Sequence, residues 1–374
     1  MTNTLQAALV VLSLAVSTGC AVRASNNESF VAPANVLRVA WRRHLIEEPL
    51  IEYRPQEFAA AESDGKRVFV GASGGYFYAL DTRDGSMLWH RLLRGGVAGR
   101  ARIVAREHLL YIGTQGGVVY ALDPETGAEK WHYDLKGPVE SQPTYSNGLL
   151  YFASGENRVY ALDAATGKWR WQYDRESPDS FTIRGQPAPI VYQGKVYAGF
   201  ADGYLACLNA GSGEIIWARG LAGDATRFVD VDSTPTVVNG VMYVSSYSGG
   251  VYALDPKDGS TKWRYEIEGA GSIRVRAGTV YFSAAGKGLH ALDLEGRLLW
   301  QQALGEGGEL STPLYVHGMV LVSAAAAGTY AADARSGQLR GFFKPGHGVT
   351  SEPTTDGQQV YVLSNGGYVY ALRL

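Results

Sequence analysis

The chain of 374 residues repeats one short motif eight times. Each copy is similar to the tetrad Tyr-Ala-Leu-Asp, and consecutive copies lie 38 to 46 residues apart. The last residues of the eight tetrads are Asp81, Asp123, Asp163, Asn209, Asp255, Asp293, Asp333 and Arg373. A period of about 40 residues with short apolar runs is typical of a β-propeller, in which each repeat forms one four-stranded blade. The sequence therefore predicts an all-β fold, an eight-bladed β-propeller of antiparallel blades.

The turns within a repeat have the composition that antiparallel hairpins need. The repeat at residues 233–267 contains apolar runs rich in Val and Tyr, separated by short polar segments. Asn239-Gly240 joins two of these runs, and this pair favours a type I′ turn because both central residues need a positive φ. Asp255 precedes a turn that ends at Gly259, and an Asp in this place accepts hydrogen bonds from amides two residues further on. We therefore expect a four-stranded meander in each repeat.

A Trp follows most tetrads at a fixed distance. It lies eight residues after the last residue of the tetrad in five repeats and seven residues after it in the sixth. In the seventh repeat we expect Phe342 to take this place. A large flat side chain at one place per repeat suits packing between neighbouring blades. The expected docking residues are Trp41, Trp89, Trp131, Trp171, Trp217, Trp263 and Trp300.

The two ends of the repeat region complement each other. The eighth repeat stops at Leu374 and lacks a Trp strand, whereas the segment around Trp41 supplies such a strand with no tetrad before it. We expect the N-terminal strand to complete the last blade, which pairs the two chain ends and closes the ring. The propeller is therefore expected to span residues 36–374.

The first 35 residues differ in character from the repeats. A mostly apolar stretch at residues 5–16 is too short to span a bilayer and is typical of an export signal. It leads into Ser17-Thr18-Gly19-Cys20, which resembles the cleavage site of bacterial lipoproteins. We therefore predict a signal peptide at residues 1–19, and a lipidated Cys20 with a flexible tether at residues 20–35. The alternative is an ordinary cleaved signal without a lipid.

The composition indicates neither a nucleic-acid partner nor a catalytic centre. The formal net charge is −2 and the charges are interspersed, so no basic surface for nucleic acid is expected. The seven His residues are scattered and none has metal-ligand spacing. The Gly-rich segments lie in hairpin turns and precede no helix, unlike phosphate-binding loops and nucleophile elbows. We therefore expect no catalytic residue, no metal and no cofactor.

Two consecutive connections between blades are longer than the others. From the Trp of one repeat to the Pro that opens the next, they take 18 residues, whereas comparable connections take 11 to 13. Equivalent connections emerge on one face of a propeller, so the two should lie side by side. They carry apolar side chains among charged ones, which is typical of a protein-contact site. The expected contact residues are Phe181, Ile183, Arg184, Arg227, Phe228, Asp230 and Asp232. Alternatively, Arg184 and the two Asp residues bridge the connections internally.

The chain resembles two families of propellers. Residues 121–131 and 161–171 resemble the docking repeat of quinoprotein alcohol dehydrogenases, which bind pyrroloquinoline quinone, but the adjacent Cys-Cys pair and long insertions of those enzymes are missing. Residues 181–189 and 230–240, with the lipoprotein-like start, are similar to BamB, a lipoprotein family of the outer-membrane β-barrel assembly (BAM) machinery. In that family, Leu-x-Leu-Arg-Gly and Asp-x-Asp segments dock on the periplasmic POTRA region of BamA. The resemblance implies this role for Phe181, Ile183, Arg184, Asp230 and Asp232.

These features together predict a non-enzymatic scaffold, anchored by lipid to the periplasmic face of the outer membrane. By resemblance it docks on the POTRA domains of BamA and aids folding and insertion of outer-membrane proteins. Unfolded outer-membrane protein clients are a further class of partner. Two other interpretations stay open: a quinone-dependent, dehydrogenase-like propeller, and a propeller lipoprotein that serves another envelope complex.

Overall fold

The computed structural model describes residues 35–45, 56–176, 187–223, 225, 227–305 and 308–374. In these residues, β-strands form eight sheets of four strands each, and one short 3₁₀ helix spans Ala105–Glu107. The eight-bladed propeller that the repeats predict is thereby confirmed.

The first strand of the chain belongs to the last blade, and every other blade is built from four consecutive strands. The first strand is β1 (Arg38–His44). Blade 1 contains β2 (Glu62–Ser63), β3 (Arg67–Gly71), β4 (Tyr76–Asp81) and β5 (Met87–Leu92). Blade 2 contains β6 (Arg102–Val104), β7 (Leu109–Gly113), β8 (Val118–Leu122) and β9 (Glu129–Asp134). Blade 3 contains β10 (Thr144–Ser146), β11 (Leu149–Ser154), β12 (Arg158–Asp163) and β13 (Trp169–Asp174). Blade 4 contains β14 (Ile190–Tyr192), β15 (Lys195–Gly199), β16 (Tyr204–Asn209) and β17 (Ile215–Gly220).

The remaining blades follow the same order. Blade 5 contains β18 (Thr236–Val238), β19 (Val241–Ser246), β20 (Gly250–Leu254) and β21 (Thr261–Tyr265). Blade 6 contains β22 (Ala270–Arg276), β23 (Thr279–Ala284), β24 (Gly288–Asp293) and β25 (Leu298–Gln302). Blade 7 contains β26 (Leu314–Val316), β27 (Met319–Ala324), β28 (Gly328–Asp333) and β29 (Leu339–Phe343). Blade 8 contains β30 (Thr354–Thr355), β31 (Val360–Leu363) and β32 (Tyr368–Arg373), with β1 as its fourth strand.

Local turn chemistry explains why each repeat folds into a blade. The first hairpin turns at pairs such as Asn239-Gly240, where φ is 51° and 74°, as the type I′ turn requires. The tetrad forms the third strand, and its final Asp accepts backbone hydrogen bonds in the next turn, for example from the amide of Lys257 to Asp255 at 2.9 Å. The second and third strands are almost fully buried because neighbouring blades cover both of their faces.

The repeated Trp joins each blade to the next one. The indole Nε1 of Trp131 in blade 2 donates a hydrogen bond to the carbonyl of Ala164 in blade 3 at 3.0 Å. The face of the same ring lies against Gly167, which has a φ of +71° and whose position leaves no room for a Cβ. The equivalent donor–acceptor pairs are Trp41–Thr82, Trp89–Pro124, Trp171–Ala210, Trp263–Leu294 and Trp300–Ala334. The turn glycine is therefore part of the contact between blades.

Trp217 departs from this pattern in one respect. The hydroxyl of Tyr197 donates to the carbonyl of Pro256 at 2.8 Å, as the equivalent Tyr does in other blades, but here the indole does not share this acceptor. The Nε1 of Trp217 is buried and has no hydrogen-bond partner among the described residues. Its ring still packs on the turn glycine of the next blade, Gly259.

The chain ends close the ring as the sequence predicts. Strand β1 pairs antiparallel with β32, and Trp41 of β1 is buried against blade 1, with its Nε1 2.8 Å from the carbonyl of Thr82. On the inner side, the Arg100 guanidinium of blade 2 contacts Glu62 of blade 1 at 2.6 Å and Glu352 of blade 8 at 3.6 Å. Backbone pairing and an ion-pair network thus both hold the junction.

The expected place of Phe342 is wrong. In blade 7, Gly341 pairs with Ala331 in the register that Trp131 and Ala121 have in blade 2, and Phe342 pairs with Tyr330 instead. The space beside Gly341 is taken by the start of the described chain, where Asn35 donates from Nδ2 to the carbonyl of Phe342 at 3.0 Å. A segment from the other end of the chain replaces the missing indole.

Candidate protein-docking surface

The second long connection, which runs from β17 to β18, passes between blades 4 and 5. Its first residue, Leu221, is buried and donates its amide to the carbonyl of Gly203 at 2.9 Å. Further along, the amide of Val231 donates to Phe200 in blade 4, and the carbonyl of Asp230 accepts from Tyr247 in blade 5, each at 3.2 Å. Backbone bonds to two blades therefore fix this connection on the propeller.

Phe228 and Arg227 form the exposed part of this connection. The Phe228 side chain is 44% exposed, and its ring centroid lies 6.0 Å from that of Tyr247. Its φ is +52°, a left-handed conformation that is uncommon for an aromatic residue. Arg227 beside it is exposed. A bulky apolar ring held outward next to a guanidinium has the composition of a protein-contact site.

The two Asp residues of the connection occupy different environments. Asp230 is buried, with only 1% of its surface exposed, whereas Asp232 is partly buried and lines the axial channel. Burial, together with the nearby carboxylates of Asp230 and Glu309, raises the pKa of Asp232 well above its usual range. Neither carboxylate lies on the outer surface beside Phe228. Their role as direct partner contacts stays a prediction.

The first long connection lies mostly outside the described residues, and with it Phe181, Ile183 and Arg184. The signal segment and Cys20 lie outside them as well. Both ends of the connection are placed. At its start, Arg175 contacts Asp202 at 2.6 Å and stacks over the ring of Tyr204. At its end, the amide of Ala188 donates to the hydroxyl of Thr234 in the second connection at 2.9 Å. The two long connections thus meet where they enter blades 4 and 5.

A basic cleft that the sequence analysis missed borders the second connection. It has a volume of about 480 Å³ and is lined by Val229, Tyr252, Arg219 and Arg264, among other residues. The Arg264 guanidinium lies over the Tyr252 ring, 5.4 Å from its centroid, and donates from Nε to the carbonyl of Gly249 at 2.8 Å. Arg at one or two positions after the Trp recurs in several repeats, so the sequence gives no signal that sets this pair apart.

The first strands of the blades surround an axial channel with a volume of about 590 Å³. Its wall carries Arg102 and Arg274, each of which donates from Nε to a Pro carbonyl of a neighbouring blade, at 3.1 and 3.2 Å. Burial lowers the pKa of both guanidinium groups. In the described part of the chain, no group of three or more acidic, His or Cys side chains is placed to hold a metal ion.

Comparison with known proteins identifies the family. The model of the family described as outer membrane protein assembly factor BamB matches residues 93–295 and 288–374. The assembly factor BamB of Legionella pneumophila is 30% identical over 199 residues, which are 52% of this chain and 52% of that protein. The chain thus spans about half the length of this curated relative.

Solved structures show the same fold. The crystal structure of BamB from Moraxella catarrhalis superposes with a TM-score of 0.78 at 23% identity, covering 91% of this chain and all of that one. A quinohemoprotein alcohol dehydrogenase from Pseudomonas putida superposes with a TM-score of 0.72 at 15% identity, covering 92% of this chain and 77% of that one. Both likenesses concern the fold. No helix of the described residues is long and apolar enough to cross a bilayer. Because the matched residues extend over most of the propeller, the chain belongs to the BamB family of outer membrane protein assembly factors.

Proposed function

We propose that this protein is a non-enzymatic scaffold subunit of the outer-membrane β-barrel assembly complex that docks on the POTRA domains of BamA. The family model, described as an outer membrane protein assembly factor, supports the assignment to this process. The docking surface consists of the two long connections, with Phe228 and Arg227 at its exposed centre. Phe181, Ile183 and Arg184 lie outside the described residues, and their part in the docking is proposed from the resemblance of the sequence alone.

The exposed ring of Phe228 supports docking at this surface. Phe228 is a large apolar residue, 44% exposed, in a left-handed backbone conformation. It lies just before Asp230 and Val231, whose backbone hydrogen bonds fix the connection to blades 5 and 4. Strained conformations persist where the surrounding structure fixes them, and they concentrate at functional sites. The buried Asp230 and the channel-facing Asp232 then support the shape of the connection from beneath. Direct contact by the buried Asp230 would need the connection to open.

Anchoring completes the proposed function. A lipid on Cys20 would hold the propeller at the periplasmic face of the outer membrane, with residues 21–35 as the tether. Tethering raises the local concentration of a scaffold near a membrane-bound partner, so a modest docking affinity suffices.

The experiment is a binding titration of the purified propeller against a purified BamA POTRA fragment. Phe228→Ser is expected to weaken binding at least about tenfold, because a central aromatic contact is lost. Trp169→Ser is the matched control, since Trp169 is a comparably exposed aromatic residue, at 51%, on the rim of blade 3. Equal affinity of Phe228→Ser and the wild type would exclude this surface. Absence of any binding by the wild type would favour a different envelope complex.

A further inference from the structure

The fourth strand of each blade lies at the end of its sheet, on the outer rim of the propeller, and β1 takes this place in blade 8. The bulged residue of β1 is Ala40, which is neither charged nor large, so only blades 1 to 7 can carry a long side chain at the bulge. Each of these strands begins with a β-bulge at the residue directly before the Trp position. In blade 1, for example, Ala79 pairs with Trp89 and Leu80 pairs with Met87, so that Leu88 is the bulged residue. The same shift of register occurs in all seven blades. The bulged residues can therefore be compared one by one.

The chemistry of the bulged residue divides the blades into two groups. In blades 2, 3, 5 and 7 it is a cation, namely Lys130, Arg170, Lys262 and Arg340. In blades 1, 4 and 6 it is a large apolar residue, namely Leu88, Ile216 and Leu299, with exposed fractions of 48%, 46% and 53%. The residue before it is apolar as well, namely Met87, Ile215 and Leu298, at 42%, 50% and 46%. Three rim edges thus present a pair of adjacent, exposed apolar side chains.

In the first group the bulged cation neutralises the last Asp of the tetrad in its own blade. The distances are 3.2 Å for Lys130–Asp123, 2.7 Å for Arg170–Asp163 and 3.4 Å for Lys262–Asp255. In blade 7, hydrogen bonds from Ser336 do most to lower the pKa of Asp333, and the charge of Arg340 adds a smaller contribution. A cation at this place has two effects, since it pairs with the acid and also keeps a charge on an exposed strand edge.

In the second group the tetrad acid is neutralised in another way. Asp81 of blade 1 pairs with Arg83 of the following turn at 2.7 Å, and Asp293 of blade 6 pairs with Arg297 at 2.5 Å. In blade 4 the acid is replaced by Asn209, which accepts hydrogen bonds from the next turn. The apolar bulge residues therefore leave no tetrad acid without a counter-charge. Because the charge balance of these three blades is preserved, the apolar residues are not a defect of the repeat.

Exposed strand edges in soluble proteins are normally protected by charged residues, above all Lys. Blades 1, 4 and 6 lack this protection at the bulge and offer apolar side chains next to the backbone groups of an edge strand. A partner helix would satisfy the apolar side chains but not the edge amides and carbonyls. An extended polypeptide satisfies both, by adding to the sheet as a further strand.

We propose that the outer edges of blades 1, 4 and 6 bind extended polypeptide segments in which apolar and polar side chains alternate. That these segments are the transmembrane strands of unfolded outer-membrane barrels rests on the proposed function, since such strands carry this alternation. At least one blade with a cationic edge separates any two of these blades around the ring. The three edges therefore act as separate sites for flexible segments and not as one continuous face for a rigid partner.

The test compares the full chain with the triple variant Leu88→Lys, Ile216→Lys, Leu299→Lys. These substitutions copy the residue type that other blades have at the same place, so the variant is expected to fold, which circular dichroism and a thermal melt check. The probe is a fluorescent ten-residue peptide of alternating Val and Thr, titrated by anisotropy. The triple variant is expected to bind it at least about tenfold more weakly. A reciprocal variant, Lys130→Leu with Asp123→Asn, copies blade 4 and is expected to increase the number of peptides bound.

The outcomes separate this proposal from the proposed function. Weaker peptide binding by the triple variant with unchanged docking on the POTRA fragment supports the edge sites. Unchanged peptide binding overturns them, whatever the docking result is. A peptide with Pro at alternate positions cannot donate backbone hydrogen bonds to an edge, so equal binding of that peptide would also overturn strand addition. Sedimentation that shows a dimer of the wild type, lost in the triple variant, would assign the edges to a second copy of this chain instead.

Discussion

At the scale of single residues, the Asp-x-Asp segment shows that the sequence predicts the types of side chain in a site but not their burial. Alternation along the chain puts Asp230 and Asp232 on one side of an extended segment, and their acidity suggested an exposed contact. Whether that side faces solvent depends on hydrogen bonds from Val231 to blade 4 and from Tyr247 to Asp230, which join residues far apart in sequence. The exposure of Phe228 has the same origin. The residue types of the site were predictable, but their burial was not.

The raised pKa of Asp232 predicts a pH-dependent stability. An acid whose pKa is higher in the folded than in the unfolded state stabilises the fold below its unfolded value of about 4, and this contribution is lost as the pH rises through the folded value. Asp232→Asn removes the group whose pKa is raised and keeps nearly the same side-chain shape. The variant is therefore expected to be more stable than the wild type at pH 7 and nearly equal to it at pH 4.

Urea unfolding at the two pH values measures this difference. Asp134→Asn serves as the control, because the Asp134 side chain is 61% exposed and pairs with Arg94 at the surface. Its effect is expected to be small, since surface ion pairs contribute little. If Asp232→Asn instead destabilises the protein at pH 7, the surrounding residues hold the carboxylate in its charged form.

At the scale of elements, the repeat predicted the strands because its turn residues set their ends and its Trp sets their register. The prediction for Phe342 is wrong because the spacing within the repeat, and not the aromatic character of the residue, decides which residue takes the Trp position. Eight residues after Asp333 comes Gly341, and this is the residue in the Trp register. The two kinds of rim edge were also visible in the sequence, directly before each Trp. The solvent exposure of the bulged side chains was not visible in the sequence, because it depends on the β-bulge.

The turn glycines predict a graded cost of substitution. Gly167→Ala places a Cβ 2.7 Å from the Trp131 ring, at a φ of +71°. Gly194→Ala has the same backbone requirement, with a φ of +73°, but nothing lies within 4 Å of the added Cβ. Gly194→Ala serves as the control, and its free energy of unfolding is expected to fall by about 1–2 kcal/mol because of the left-handed conformation alone. For Gly167→Ala the free energy of unfolding is expected to fall by about 1–3 kcal/mol more, because the Trp131 ring must move. Equal losses in denaturant unfolding would show that the Trp contact is loosely packed.

At the scale of the whole molecule, closure of the ring was predictable because the first and last repeats are incomplete in complementary ways. The network around Arg100 was not, since Glu62, Arg100 and Glu352 come from three blades and their encounter depends on the curvature of the ring. Nor does the repeat itself distinguish an assembly scaffold from a dehydrogenase of the same architecture. That distinction came from residues outside the regular pattern and from the family match.

Because Trp41 lies where the ring closes, its substitution is expected to affect a strand at the opposite end of the chain, which substitution of the equivalent Trp residues should not do. Trp41 and Trp131 each join two blades, and Trp→Ala is expected to cost about 3–5 kcal/mol in either case. Trp41, however, lies on β1, which is held in blade 8 by β32 and against blade 1 by this indole. Trp41→Ala should therefore release β1 and expose the amides of β32 at the other end of the chain, whereas Trp131→Ala should leave β32 protected. Hydrogen exchange at residues 368–373 measures this difference. Equal protection of β32 in the two variants would mean that backbone pairing of β1 and β32 closes the ring without help from the indole.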